Sequence, residues 1–350
     1  MKKLKVLCLV LICLLALNLV ACGNKKNTDS NTDNKESGQS NEQEYTLQLA
    51  YAAAEDKINS PIMKQFKENV EKKSNGKIKI DIYPNSQLGG DRELIESCQA
   101  GNIAIVIQGT SPQVNFIPKL AIFDLPNLFE DIDVAYKVLT GPFREKIAAE
   151  YEKAGFKLLC MVPVGMREMT STKPITKIED FKGVKIRTME NPYHIAYWKA
   201  LGANPTPLAF SELYMALQQG TVDAQENPFG AVIASKFYEV QKYVINTNHI
   251  MLNYAMIMNK SLYDNMPDEY KKIINESAKE AEAALFKANK EGTANMAEEL
   301  KSKGMQFIDL SPEVLQQMRD AAKPVYDMIR KDIGNELVDE LLKTIEEAKK

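Results

Sequence analysis

Arg187 closes the short strand pattern Val184-Lys185-Ile186-Arg187 and stands just before a helix start at Asn191-Pro192. Ligands of open α/β sheets bind beyond the carboxyl ends of strands, and the free amides of a helix N-terminus favour anions. A guanidinium there can hold a carboxylate through two parallel hydrogen bonds, which a lysine cannot reproduce. The local sequence equally allows an exposed arginine paired with Glu190 or Glu179. The chain has only two histidines, His194 and His249, and neither has metal-ligand partners at helical spacing. There is no nucleophile elbow, P-loop or dinucleotide-binding glycine pattern, and no carboxylate pair is singled out. A binding role without metal or cofactor is therefore expected in place of an enzyme. The net charge of −3 gives no basic footprint for nucleic acid.

The elements that must position Arg187 alternate between strands and helices. Leu47, Leu49 and Tyr51 alternate as on a strand, and Ser60-Pro61 reads as a helix start followed by Met63, Phe66 and Val70 at helical spacing. Ile78, Ile80 and Ile82 form the next strand. Asp91 can cap a helix carrying Leu94, Ile95 and Cys98, and Ile103 to Ile107 reads as a strand covered on both faces. The second half repeats the scheme with the 184–187 strand, a helix presenting Ile195, Trp198 and Leu201, and a helix capped by Ser211. A helical pattern from Asp268 to about Gly304 is long enough to brace two lobes. Ser311-Pro312 opens another helix, broken near Pro324, and the tail from Asn335 is helical.

The first residues carry a different message. Lys2, Lys3 and Lys5 precede an apolar run from Val6 to Ala21, a secretory signal too short for a spanning helix. Leu19-Val20-Ala21-Cys22 resembles the bacterial lipobox, which implies removal of residues 1–21 and lipidation of Cys22. Residues 22–44 then read as a polar, disordered spacer. About 305 residues follow, enough for two lobes. Cys98 and Cys160 fall on a helix and a strand with no spacing that argues for a bridge, and are expected unpaired.

Four stretches closely resemble the solute-binding proteins of tripartite ATP-independent periplasmic (TRAP) transporters. They are YPNSQLGGDREL from Tyr83, GMREMTST from Gly165, KIRTMENPY from Lys185, and LGANPTPLAFSELYMALQQGTVDAQENP from Leu201. The resemblance spans essentially everything from Tyr45 to the C-terminal helices. It implies an α/β, two-lobed, periplasmic-binding-protein-like fold of type II, each lobe an open α/β sheet, with a long helix bracing both. Lobe I would comprise 45–164 plus about 253–292, and lobe II 165–252 plus about 293–350 with the C-terminal helices. The implied activity is extracytoplasmic capture of a small organic acid, by closure of an open cleft, and its delivery to an ion-gradient-driven membrane permease. Arg187 matches the arginine that forms the two-pronged salt bridge to the ligand carboxylate. Arg167 matches a second arginine lining the site, Asn227 a residue that hydrogen-bonds the ligand, Phe210 an aromatic wall, and Asp91 a polar contact from the first lobe. Gln225 and Glu226 are polar neighbours of Asn227, but in an extended chain the three cannot all face a ligand.

The chain departs from the sialate-binding pattern. Where sialate binders carry an asparagine after the first strand, and a glutamate and an arginine after the third, this sequence reads Ala52, Gly109 and Pro112. Gln108, Thr110 and Ser111 in that loop offer neutral hydrogen bonds suited to hydroxyls, and Tyr193 and His194 could add others. A sugar acid such as a uronate is expected, with a C4-dicarboxylate next. A lipoprotein serving an ATP-driven importer or a sensor is the competing role.

Overall fold

The computed structural model describes residues Gln43–Lys350. The expected signal segment 1–21, the expected lipidation of Cys22 and the expected spacer up to residue 42 lie outside the described residues.

The strands are β1 (Tyr45–Ala50), β2 (Ile78–Tyr83), β3 (Ile105–Gly109), β4 (Phe156–Ser171), β5 (Lys185–Thr188), β6 (Asn204–Pro207), β7 (Ala224–Asn227), β8 (Tyr243–Asn259) and β9 (Gln306–Asp309). They form one nine-stranded sheet in the order β2-β1-β3-β8-β4-β7-β5-β6, with β9 beside β8. β1 pairs in parallel with β2 and β3, and β5 in parallel with β6 and β7. These are the two α/β halves expected of the lobes, and the fold is the two-lobed arrangement anticipated above. The sequence reading did not anticipate that the halves share two strands. β4 and β8, 16 and 17 residues long, pair antiparallel along nearly their whole lengths and pass from one half into the other. Their register shifts at three places, one between Pro163 and Gly165 opposite Asn253 and Leu252. Gly165 has φ +152 there, a backbone conformation that a β-carbon disfavours.

The Asp268–Ser302 helix is unbroken over 35 residues. Tyr270, Ile273, Ile274, Ala278, Ala281 and Leu285 pack with Phe66, Ile80 and Ile105 in the core of the first half. Leu300 near its other end packs with Leu213, Val232 and Val244 in the second half. One rigid rod thus has an apolar stake in both halves. A larger core runs from Phe123 and Tyr151 through Trp198 to Ile329 and Leu341, so the C-terminal helices close the face opposite this rod. Cys98 and Cys160 are both free and buried, and burial pushes each thiol up to about 12.

Three helix starts differ from expectation. The first helix is Asn59–Lys73, and Ser60 lies inside it. The carboxylate of Asp56 takes the amides of Ile58, Asn59 and Ser60, doing from outside the helix what Ser60 was expected to do. Similarly, Asp91 is the first residue of the Asp91–Gln99 helix and its side chain makes no cap hydrogen bond. Ser211 sits within a 3-10 turn, Phe210–Glu212, that leads into Leu213–Gln218 without a side-chain cap. Asn191 and Ser311 do cap their helices, Asn191 through the amides of Tyr193 and His194 and Ser311 through that of Val314.

Candidate ligand-binding site

A cavity lies between the two halves of the sheet, with about 780 Å³ of atom-free space, part of it open to solvent. Arg187 from the end of β5, Arg167 from β4, Asn227 from β7 and Phe210 form its wall on one side. Asp91, Gln108 and Tyr254 are among those facing them. Six of the ten residues expected to meet a ligand therefore line one cavity. Thr110, Ser111, Tyr193 and His194 are not on its wall. Thr110 is buried in the short Thr110–Gln113 helix that follows β3, and His194 lies behind the arginines.

The two arginines differ in what holds them. Arg167 is fully buried and meets the Glu226 carboxylate through both Nε and Nη2, the Nη2–Oε1 distance being 3.0 Å. His249 Nε2 lies 3.1 Å from the same carboxylate, and His194 Nδ1 lies 3.7 Å from it, an ion-pair distance. His194 Nε2 is 3.1 Å from Asp124, whose carboxylate also accepts from Ser111 Oγ (2.6 Å) and Asn191 Nδ2 (2.7 Å). Burial alone would push Glu226 up, but Arg167 and the two histidines pull it well below the usual carboxylate range. Burial likewise lowers His194, yet Asp124 and Glu226 outweigh it and bring the imidazole up to about 9. With His194 protonated, two buried cations face two buried anions and the cluster is neutral, as buried charges require.

Arg187 has no such partner. Its Nε and Nη2 both donate to the Leu208 carbonyl (3.0 and 2.7 Å), which fixes the plane of the guanidinium. Its guanidinium carbon lies 5.9 Å from the Phe210 ring centre, at cation–π range. No carboxylate of the described residues comes within 4.0 Å of it, Glu190 and Glu179 included, although only 2% of the residue is exposed. Burial, and then the neighbouring Arg167, lower it to about 10, so it remains charged at neutral pH. An oriented, desolvated guanidinium with no carboxylate of the described residues within 4.0 Å has the geometry to hold an anion.

Residues 49–332 match the profile of the bacterial extracellular solute-binding protein family 7, DctP. The chain belongs to that family. Its members are solute-binding transport proteins of the extracytoplasmic space, not enzymes. A solute-binding protein of Verminephrobacter eiseniae is 37% identical over 266 residues, covering 75% of this chain and 79% of its own length. The fold is similar to that of the sugar-acid-binding protein DctPAm of Advenella mimigardefordensis, whose crystal structure contains galactonate. Its TM-score is 0.85 at 32% identity, covering 88% of this chain and 99% of that one. A TRAP periplasmic solute-binding protein of Sulfurospirillum deleyianum with bound succinate gives a TM-score of 0.81 at 32% identity, covering 85% and 98%.

Sequence reasoning missed much of the cavity's first-half wall. Tyr51, Asp56, Asn59, Ser60, Met63 and Tyr254 all line it. Nothing in their local pattern separates them from strand and helix residues that face the core. The alternation rule did separate Glu226 from Asn227, since Glu226 turns to Arg167 while Asn227 reaches the cavity and donates to Gln225 (2.6 Å).

The raised value of His194 has a measurable consequence. Its folded value of about 9 exceeds the ordinary 6.5, so its contribution to stability is complete below about pH 6.5 and fades as pH rises through 9. Melting temperature should fall over that interval, and His194→Gln should lower stability at pH 6.5 while flattening the fall. A wild-type profile indistinguishable from that of the variant would refute the assignment of the charge to His194.

Proposed function

We propose that this protein captures a small hydroxylated organic acid through a salt bridge between the ligand carboxylate and Arg187, and passes it to the membrane permease of a TRAP transporter. A sugar acid such as a uronate is the favoured ligand, with a C4-dicarboxylate next. Cys22 would carry the lipid that keeps the protein at the membrane surface, and residues up to about 44 would serve as its leash. The cleft would close by hinge bending between lobe I (45–164 plus about 253–292) and lobe II (165–252 plus about 293–350), because the closed state adds ligand contacts that the open one lacks.

The observation that carries this reading is the buried guanidinium of Arg187, oriented by Leu208 and without a carboxylate partner among the described residues. That similar proteins were crystallised with galactonate and with succinate supports an organic acid as the ligand. A thermal-shift screen tests it, with uronates, aldonates, C4-dicarboxylates, 2-oxo acids, amino acids and neutral sugars as candidates. A ligand that binds only the folded state at 100 times its Kd adds about 2.7 kcal/mol of stability. The expected result is a clear upward shift with one group of acids and none with the matching neutral sugars. Shifts confined to neutral sugars would refute the salt bridge.

A further inference from the structure

This inference rests on Arg187 as the carboxylate clamp and concerns what the remainder of the cavity will accept. Of the charged groups on the wall, Arg167 is neutralised by Glu226 and Asp56 is engaged with the amides at the start of the Asn59–Lys73 helix. No other lysine, arginine or histidine lines this inner cavity. Lys57, Lys64, Lys236 and Lys303 belong to the outer mouth of the cleft, where Lys57 pairs with Glu299 and Lys64 with Glu55. A second carboxylate on the ligand would find no free cation inside.

Asp91 and Gln108 lie across the cavity from the arginines. Asp91 is half-buried, and among the described residues its carboxylate has no hydrogen bond and no ion pair within 4.0 Å. Gln108 is only 4% exposed, and neither its amide oxygen nor its amide nitrogen has a partner. A buried amide without partners is costly, and a hydroxyl can both donate to its oxygen and accept from its nitrogen. A carboxylate can only accept, so it satisfies half of Gln108 and is repelled by ionised Asp91.

We propose that Asp91 restricts this cleft to acids with a single carboxylate, and that the ligand is a polyhydroxylated monocarboxylate whose hydroxyls meet Asp91 and Gln108. The charged and titratable groups facing Asp91 are Arg187, Arg167 and Tyr254 from the sheet, Glu190 beyond β5, and Glu93 on its own helix. Burial pushes the Asp91 carboxyl up to about 6 despite the pull of Arg187. It is therefore mainly ionised at pH 7.5 and mainly neutral at pH 5.0, and its repulsion should weaken across that range.

The test is titration calorimetry of the purified protein and of Asp91→Asn with acid pairs of one configuration, galactonate with galactarate and gluconate with glucarate. In each pair the aldarate differs only in carrying a carboxylate for the terminal hydroxymethyl group, and its carboxyls stay ionised down to roughly pH 4. Wild-type protein should prefer the aldonate by about tenfold or more at pH 7.5, the scale of one unscreened like-charge contact, and this preference should shrink at pH 5.0. In Asp91→Asn the preference should be about tenfold smaller and independent of pH. Equal wild-type affinity for both members of a pair overturns the proposal. So does an Asp91→Asn protein that keeps the wild-type preference, in which case the Arg187 clamp stands alone. Failure of the wild type to bind any acid overturns the clamp and this inference together.

Discussion

Arg187→Ala should weaken binding of the cognate acid by about 30- to 5,000-fold, the equivalent of losing one partner of a buried charged pair at ~2–5 kcal/mol. The loss should appear without a matching loss of stability in the ligand-free protein. Arg187 makes two hydrogen bonds to Leu208 but is a buried cation without a carboxylate partner, so its removal takes away a desolvation cost along with those bonds. Arg187→Lys keeps the charge but loses the fork and the fixed plane, and should recover only part of the affinity. Calorimetry gives the affinity and the melting temperature without ligand gives the stability. A folded Arg187→Ala protein that binds as tightly as wild type would refute the clamp.

The second large effect falls on the neighbouring arginine's partner, with the opposite signature. Glu226→Ala leaves Arg167 buried without its carboxylate and removes the anion facing both His194 and His249. Breaking a buried pair from one side typically costs about 3–5 kcal/mol, so the melting temperature should drop by roughly 10 °C in a chain of this size. Glu226 is held far below the ordinary carboxylate value. Its contribution is therefore complete above about pH 4.5 and is lost progressively as pH falls from there towards the depressed folded value. Wild-type and Glu226→Ala melting curves should converge only in strong acid. A variant with wild-type stability at pH 7 would mean that the Arg167 pair contributes nothing net. The two arginines are thus separable by experiment, one through affinity and the other through stability.

Local rules were sufficient where one element decides the outcome. The strand ending at Arg187, the Asn191-Pro192 helix start, the Asp268–Ser302 helix and the break before Pro324 are all short-range consequences of apolar spacing and capping chemistry. The motifs around Arg167, Arg187, Phe210 and Asn227 were legible as a family resemblance, and the matched profile shows the family. Local rules misplaced the caps at Ser60, Asp91 and Ser211, where a carboxylate from outside the helix, a cavity or a 3-10 turn took over.

Tertiary structure alone decided what each polar side chain does. Arg167 and Arg187 are alike as residues, and only the sheet order β4-β7-β5 sets Glu226 against the first and leaves the second without a counter-ion. His194, expected at the ligand, is drawn to Asp124, which is 70 positions away in the chain. Gln108 is left without partners because of the strands and the loop that surround it, not because of anything in its neighbours in sequence. Hydrophobic period and capping depend on residues three or four positions apart, so a sequence specifies them locally. Charge compensation and orphaned hydrogen-bonding groups depend on which distant strands meet, and that is settled only when β4 and β8 bring the two halves of the sheet together.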